Sequence, residues 1–374
     1  MLPARISKAF DSVIGRTFEL SLTKNYVSRW TAVHGIRELI QNALDSDSPF
    51  VYELGFDEQG HFLRLSSEFS SLTPQTLLLG ATSKRESDSA IGSFGEGYKI
   101  ALLVLTREGY DVELLNGDFV WRPRFKMSRT FGEEVLVIDE HVSSDRGNKG
   151  LSFVVRGIDD DLRDKVIASC LLMQDNVGQV KKTKFGDILL DRPGLLYVGN
   201  LFVCETDLKF GYNILPKFIR LERDRQTVDS WDLKDTTIKM WYDVGDMERV
   251  AEMLSDQVPD VEYARYNAPE IIKEECYKVF RKNNPGALIA SSPTEMREMV
   301  ERGMTNTVYV GGAFYDVVSS SKSYKDDSKG LYIAARTPND VLKEWLSANR
   351  SEMRTKALVS FKEILDASNK WRLK

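Results

Sequence analysis

Glu38, Asn42 and Asp45, in the run I-R-E-L-I-Q-N-A-L-D, constrain this chain more than any other feature of it. At about 100° per residue the three lie within roughly 60° of one another on a helix. Val33, Ile36, Leu39, Ile40, Ala43 and Leu44 gather on the opposite side. Such a helix buries the apolar residues and aims a carboxylate, an amide and a second carboxylate at one place. A surface helix would favour Lys, Glu and Arg on its polar face, whereas Asn is a mediocre helix former. A solvated polar face stays open as the alternative, because E-x-x-x-N-x-x-D is a short pattern.

A second motif follows in G-A-T-S-K-R and I-G-S-F-G-E-G-Y-K-I-A-L-L-V-L, where Gly92, Gly95 and Gly97 are spaced G-x-x-G-x-G just before a strongly apolar helix. Glycines there allow positive φ and close backbone approach, which leaves amide N–H groups and a helix N-terminus to hold an anion. By itself the triplet could equally be a tight loop capping a core helix. Lys84 and Lys99 flank this segment and add positive charge to it, or else are ordinary solvated lysines.

With E-L-I-Q-N-A-L-D, L-L-L-G-A-T-S-K and I-G-S-F-G-E-G-Y-K in this order, the chain resembles the GHKL ATPase superfamily of gyrase B, heat-shock chaperones, histidine kinases and MutL. The resemblance covers roughly the first 155 residues. It implies an α+β fold, a Bergerat-type α/β sandwich that binds ATP with Mg²⁺. It further implies that Asn42 ligates Mg²⁺, that Glu38 orients and deprotonates the attacking water, and that Asp45 is a polar group either supporting the residues that touch the ligand or on the ribose side. The glycine segment with Gly92, Gly95 and Gly97 would then close over the phosphates, with Thr82, Lys84 and Lys99 among the nucleotide-binding groups. The chemistry agrees, because Mg²⁺ takes few protein oxygens and keeps phosphate and water ligands. Glu38 lies one helical turn before Asn42, within reach of a water beside the γ-phosphate.

The chain departs from the family where a D-x-G-x-G segment normally places an Asp on the adenine amino group. The stretch here is L-R-L-S-S-E-F-S-S-L-T-P, with Ser66, Ser67 or Glu68 at that position and no glycine after it. Glu68 substitutes if the strand register allows. Otherwise base selectivity relaxes, since a pocket discriminates strongly only where it hydrogen-bonds the base.

The 374 residues, 42% hydrophobic and 29% charged, suit a globular protein of two or three domains. No apolar run approaches a membrane span and the N-terminus lacks a secretory apolar stretch, so a cytoplasmic location and no membrane association are expected. Cys170, Cys204 and Cys276 are widely spaced and read as buried thiols, and His34, His61 and His141 are too scattered for metal-ligand spacing. A net charge of −5 with the signs interspersed gives no drive toward nucleic acid.

The expected organisation is an ATP-binding domain over 1–157, a transducer-like α/β domain over 158–245, a small α/β module over 246–335 and a helical tail over 336–374. In the second region L-L-Y-V-G-N-L-F-V-C-E and I-K-M-W-Y read as strands, with N-I-L-P-K-F-I-R-L-E-R-D-R-Q-T-V-D between them. Multi-domain members of the family return a basic side chain to the γ-phosphate. Lys217, Arg220, Arg223 and Arg225 are the candidates, Lys217 and Arg223 foremost, although R-D-R could be a structural ion-pair knot. S-S-S-K-S-Y-K-D-D-S-K-G reads as a loop.

The function expected is a slow Mg²⁺-dependent ATPase that couples nucleotide state to domain motion or to dimerisation, as a homodimer or on a protein partner. The alternative is an interaction module with a degenerate pocket, a regulator or inhibitor of a partner complex. A histidine kinase fits less well for want of a dimerisation histidine, as does DNA processing for want of a nucleic-acid domain.

Overall fold

A computed structural model of the chain describes residues 14–46, 48–58, 60–78, 97–143, 150–221, 227–334 and 338–368. It is a mixed α/β protein with two compact units. The first comprises Met1–Val180, Gly186–Thr206 and Gly211–Val228, the second Lys181–Phe185, Asp207–Phe210 and Asp229–Lys374. None of the described helices is long and apolar enough to cross a membrane.

The first unit is built on seven strands: β1 (Ile14–Thr23), β2 (Val51–Asp57), β3 (Gly60–Ser67), β4 (Asp111–Asn116), β5 (Phe119–Met127), β6 (Glu134–Val142) and β7 (Leu151–Ile158). Their order is β1-β6-β5-β4-β7-β3-β2, and every neighbouring pair is antiparallel. Helices α1 (Ala32–Leu44), α2 (Gly97–Arg107) and α3 (Asp160–Ser169) accompany the sheet. Alternation decides the layers. Leu63, Leu65, Leu114, Trp121, Leu136, Ile138 and Phe153 share one core with Ile36, Leu39 and Ile40 of α1 and with Ala101, Leu102 and Leu105 of α2.

The opposite sheet face has buried valines set among ion pairs, which is why β6 reads as a continuous apolar run. Val137 lies opposite Arg124 in the pairing, and Asp139 opposite Arg122. Arg124 binds the Asp139 carboxylate, which also accepts from Thr17 at 2.7 Å. Arg122 and Arg156 converge on Glu113, each at 2.7 Å. Long arginine stems can cover apolar surface while their heads stay paired at the rim.

Two residues at the end of α2 fix where α1 begins. The Arg107 guanidinium donates to the carbonyls of Tyr26 at 3.0 Å and Trp30 at 2.6 Å, which gathers the turn after β1. The Glu108 carboxylate accepts the Ala32 N–H at 2.8 Å, one of the donors a helix N-terminus leaves without an intrahelical partner. Gly35 lets the helices approach, since a Cβ there would stand 3.2 Å from Leu105 Cγ.

Strand β8 (Val180–Thr183) runs from the first unit into the second. Strands β9 (Gly186–Leu189), β10 (Leu195–Val198), β11 (Leu201–Glu205) and β12 (Gly211–Ile214) pair in the order β11-β10-β12-β9. Cys170 bridges Leu201, and the Leu171 N–H donates to the Asn200 carbonyl at 2.9 Å. Cys170, Met173 and Leu201 belong to the same core as the seven-stranded sheet, so the expected boundary at 157/158 falls inside one compact unit.

The second unit is largely helical: α4 (Ser230–Val244), α5 (Met247–Ser255), α6 (Ala264–Asn267), α7 (Glu270–Asn283), α8 (Pro293–Glu301), α9 (Gly312–Ser320), α10 (Lys322–Ala334), α11 (Pro338–Asn349) and α12 (Thr355–Ser368). Strands β13 (Leu288–Ala290) and β14 (Thr307–Tyr309) are parallel on either side of α8. Two expectations are corrected here. I-K-M-W-Y is helical within α4, because the Asp229 carboxylate caps the N–H groups of Trp231 and Asp232 and the buried set Leu233, Thr237, Met240 and Trp241 follows helical spacing. The polar segment expected as a loop forms the end of α9 and much of α10. Glu274 accepts the N–H groups of Lys322 and Ser323, and the buried Tyr324 hydroxyl accepts from Ile289 N–H at 2.9 Å. Burial pushes the thiol of Cys170 up to about 11 and that of Cys276 up to about 12, so both are poor nucleophiles. Cys204 is half-buried.

Gly150 enters β7 against backbone: an added Cβ would stand 2.5 Å from the Ser67 carbonyl oxygen and 2.8 Å from Glu68 Cα. Backbone atoms in a paired strand cannot move aside as a side-chain tip would. Gly150→Ala is expected to destabilise the first unit by about 1–3 kcal/mol, the usual cost of overpacking, measured by urea unfolding.

Candidate functional site

Helix α1 starts at Thr31, and its first turn is closed by a histidine where Glu or Gln is usual. His34 Nδ1 accepts the Thr31 N–H at 3.1 Å and lies 2.9 Å from its hydroxyl. From there the helix carries its polar stripe inward. Glu38 is only 3% exposed and Gln41 2%, while Asn42 and Asp45 are half-buried. The stripe is therefore not a solvated face. Asn42 Nδ2 donates to the Glu38 carbonyl at 2.7 Å, which fixes the amide one turn beyond the carboxylate. Asp45 sits at the C-terminal cap in a helical conformation.

Helix α2 brings a second buried charge. Lys99, in its first turn, is 0% exposed. Its ammonium donates to the Leu78 carbonyl and lies 5.5 Å from the centre of the Tyr98 ring. The Tyr98 hydroxyl donates to the Thr76 carbonyl at 2.7 Å, and burial pushes its pKa up to about 12, so it stays a neutral donor. These two bonds tie the start of α2 to the segment after β3. Gly97 is buried at the head of the helix. Thr82, Lys84, Gly92 and Gly95 lie outside the described residues, as do Arg223 and Arg225.

The register of β3 decides which of three residues turns toward the helices. Leu63 and Leu65 point into the shared core, so Ser67 continues on that face and Ser66 lies on the other. Ser67 is buried and its hydroxyl lies 3.4 Å from that of Ser46, just beyond the end of α1. Ser66 instead pairs with Ser152 at 2.9 Å, and Glu68 lies past the strand, exposed. The Ser48 hydroxyl accepts the Phe69 N–H at 3.0 Å. A small set of neutral hydroxyls thus stands at the C-terminal end of α1.

Lys217 occupies a tight turn, Pro216–Phe218, exposed, with its ammonium 4.8 Å from the centre of the Phe218 ring. Arg220 is exposed as well. The structure thus joins Glu38 to Asn42 and Lys99 to the residues following β3. Gln41, Tyr98, Ser46 and Ser48 join these groups without having been singled out in the sequence, and of the three candidates Ser66, Ser67 and Glu68 it is Ser67 that faces them. Gln41 had a signal, because its spacing from Glu38 sets it on the same stripe. Ser46 and Ser48 had none, since their convergence with Ser67 depends on which face of β3 meets the helices.

His34 gives the site a pH dependence. Burial, with Arg37 beside it, holds its pKa below the ordinary 6.5. The neutral ring is thus favoured in the folded chain. The contribution of the cap is fully present above the unfolded value and is lost as the pH falls through the lowered folded value. His34→Gln keeps an acceptor at the same place and does not titrate. On acidification from about pH 7 to about pH 5 the wild-type Tm should therefore fall further than that of His34→Gln, measured by differential scanning calorimetry.

No family model matches this sequence. The chain is similar to an uncharacterized protein of Mycoplasma pneumoniae, 24% identical over 230 residues that cover 58% of this chain and 93% of that one.

Proposed function

We propose that the N-terminal part of the chain is a Mg²⁺-dependent ATP-binding domain of the GHKL type, with a Bergerat arrangement of helices on one face of its antiparallel sheet. It hydrolyses ATP slowly and acts as a switch, coupling nucleotide state to domain motion, to dimerisation or to a protein partner. The observation that carries this reading is the burial of Glu38 in α1 together with Lys99 in α2, two oppositely charged side chains on helices packed against each other. Buried charge is costly and seldom kept for packing alone. A polar stripe on α1 beside the buried head of α2 suits phosphate chemistry.

Asn42 fits a magnesium ligand. Its amide nitrogen is engaged with the Glu38 carbonyl, which makes Oδ1 the atom presented to a hard cation. Mg²⁺, when bound, neutralises charge on phosphate oxygens. Glu38 would orient a water and accept its proton, one turn from the ligand. Lys99 and the N–H groups at the head of α2 would hold phosphate oxygens, with Thr82, Lys84, Gly92 and Gly95 completing the cradle. Asp45 would act near the ribose, and Lys217 or Arg223 would supply charge from later in the chain. Ser67, a neutral hydroxyl on the helix-facing side of β3, favours a second reading in which the pocket is degenerate and the protein is an interaction module or regulator.

Calorimetry with ATP, with and without Mg²⁺, separates these readings. Mg²⁺-dependent binding is expected, together with loss of turnover by about 10²–10⁴-fold but retained binding in Glu38→Gln. Asn42→Ala should lose the Mg²⁺ dependence. Unchanged hydrolysis in Glu38→Gln would remove Glu38 from the reaction, and no binding at millimolar ATP would leave the interaction module.

A further inference from the structure

The second unit carries an aromatic cluster that its core does not use. Trp231, in the first turn of α4, packs edge-on against Tyr263 with ring centres 4.7 Å apart and lies 5.2 Å from Tyr266. Tyr263 and Tyr266 are themselves 5.3 Å apart and nearly perpendicular. Yet Trp231 is 53% exposed and Tyr266 56%. Side chains of this size are normally buried or engaged, and Trp and Tyr side by side at the surface mark an interaction site more often than scattered aliphatics do.

The backbone beneath the cluster is held firmly. The Thr237 hydroxyl donates to the Asp260 carbonyl at 3.0 Å, joining α4 to the turn that leads to Tyr263. The fully buried Asp260 carboxylate accepts the N–H groups of Lys209 and Phe210 at 2.7 and 3.1 Å. The rings are thus presented on a pre-organised base, which lowers the entropic cost of engaging a partner.

Charge around the rings selects the partner. Asp229 and Asp232 flank Trp231 in sequence, and Glu262 precedes Tyr263. Two cations at the cluster are already spoken for: the Lys234 ammonium is 2.9 Å from the Glu262 carboxylate and 5.9 Å from the centre of the Tyr263 ring, with Asp207 adding to the negative field, and Arg265, between the two tyrosines in sequence, is 3.1 Å from the Asp316 carboxylate. The patch therefore contains one worked instance of a cation held between an aromatic face and a carboxylate. Trp231 and Tyr266 are exposed, and Asp229, whose Oδ1 caps the first turn of α4, and Asp232 add negative charge next to Trp231 in the chain. From this complementarity we infer that the surface formed by Trp231, Tyr263 and Tyr266 docks an arginine-bearing peptide segment of a partner protein, the guanidinium stacking on the rings and the acids facing its charge. Guanidinium is the cation best suited to stack on an aromatic face while hydrogen-bonding carboxylates. The same acids disfavour a nucleic acid, whose phosphates they repel.

The test uses the full chain and three fluorescently labelled probes: a Gly-Arg repeat peptide, the same peptide with citrulline for arginine, and an oligo-dT strand. Saturable binding of the arginine peptide is expected, weakening with salt and at least about tenfold weaker for citrulline, the size expected for a cation–π contact with its charge partner. Trp231→Ala and Tyr266→Ala should each weaken it by about tenfold with an unchanged circular dichroism spectrum. Equal binding of the citrulline peptide, preference for oligo-dT, or wild-type affinity in the folded Tyr266→Ala variant would each overturn the assignment. ATP binding by the first unit is a separate readout, and neither result depends on the other.

Discussion

The packing of α1 on α2 is the constraint from which the rest of the first unit follows. α2 is buried on nearly all sides, so its position is set by the sheet below and by α1 beside it. Gly35 eases that approach, since an added Cβ would stand 3.2 Å from Leu105 Cγ. Arg107 and Glu108 then fix the entry of α1 by taking up the carbonyls of the preceding turn and the Ala32 N–H. With the helix start pinned, the direction of every later residue on α1 is determined. Glu38 and Asn42 consequently fall on one line inside the protein.

This arrangement places two charges where water is largely excluded. In a low-dielectric interior, a carboxylate or an ammonium acts more strongly on what approaches it than it would at the surface. The seven-stranded sheet uses charge differently on its other face, where arginines and acids pair across strands over a row of valines. Ionic pairs at that face close on each other. On α1 and α2 the Asn42 amide donates to the Glu38 carbonyl and the Lys99 ammonium to that of Leu78.

Much of the fold was legible in the sequence. The helices at 32–44 and 97–107 lie where the polar stripe of Glu38, Asn42 and Asp45 and the apolar run after the glycine triplet place them. The failures lie where tertiary contacts overrule local composition. The I-K-M-W-Y run has strand-like residues but continues a helix that Asp229 had already capped. The serine-rich segment around 319–330 looks like a loop until Glu274, from another helix, supplies acceptors for its N–H groups.

The sequence by itself determined that a carboxylate and an amide stand one turn apart on a half-apolar helix, because helical geometry is local and needs only the residues between Glu38 and Asn42. Tertiary structure alone decided that Ser67 rather than Ser66 or Glu68 faces that helix. Strand register flips every side chain with a shift of one residue, and register is set by pairing with β7, whose residues lie far along the chain. It likewise decided that Trp231, Tyr263 and Tyr266 meet at one surface, since the turn at 259–261 must first be anchored to α4 through Thr237 and Asp260.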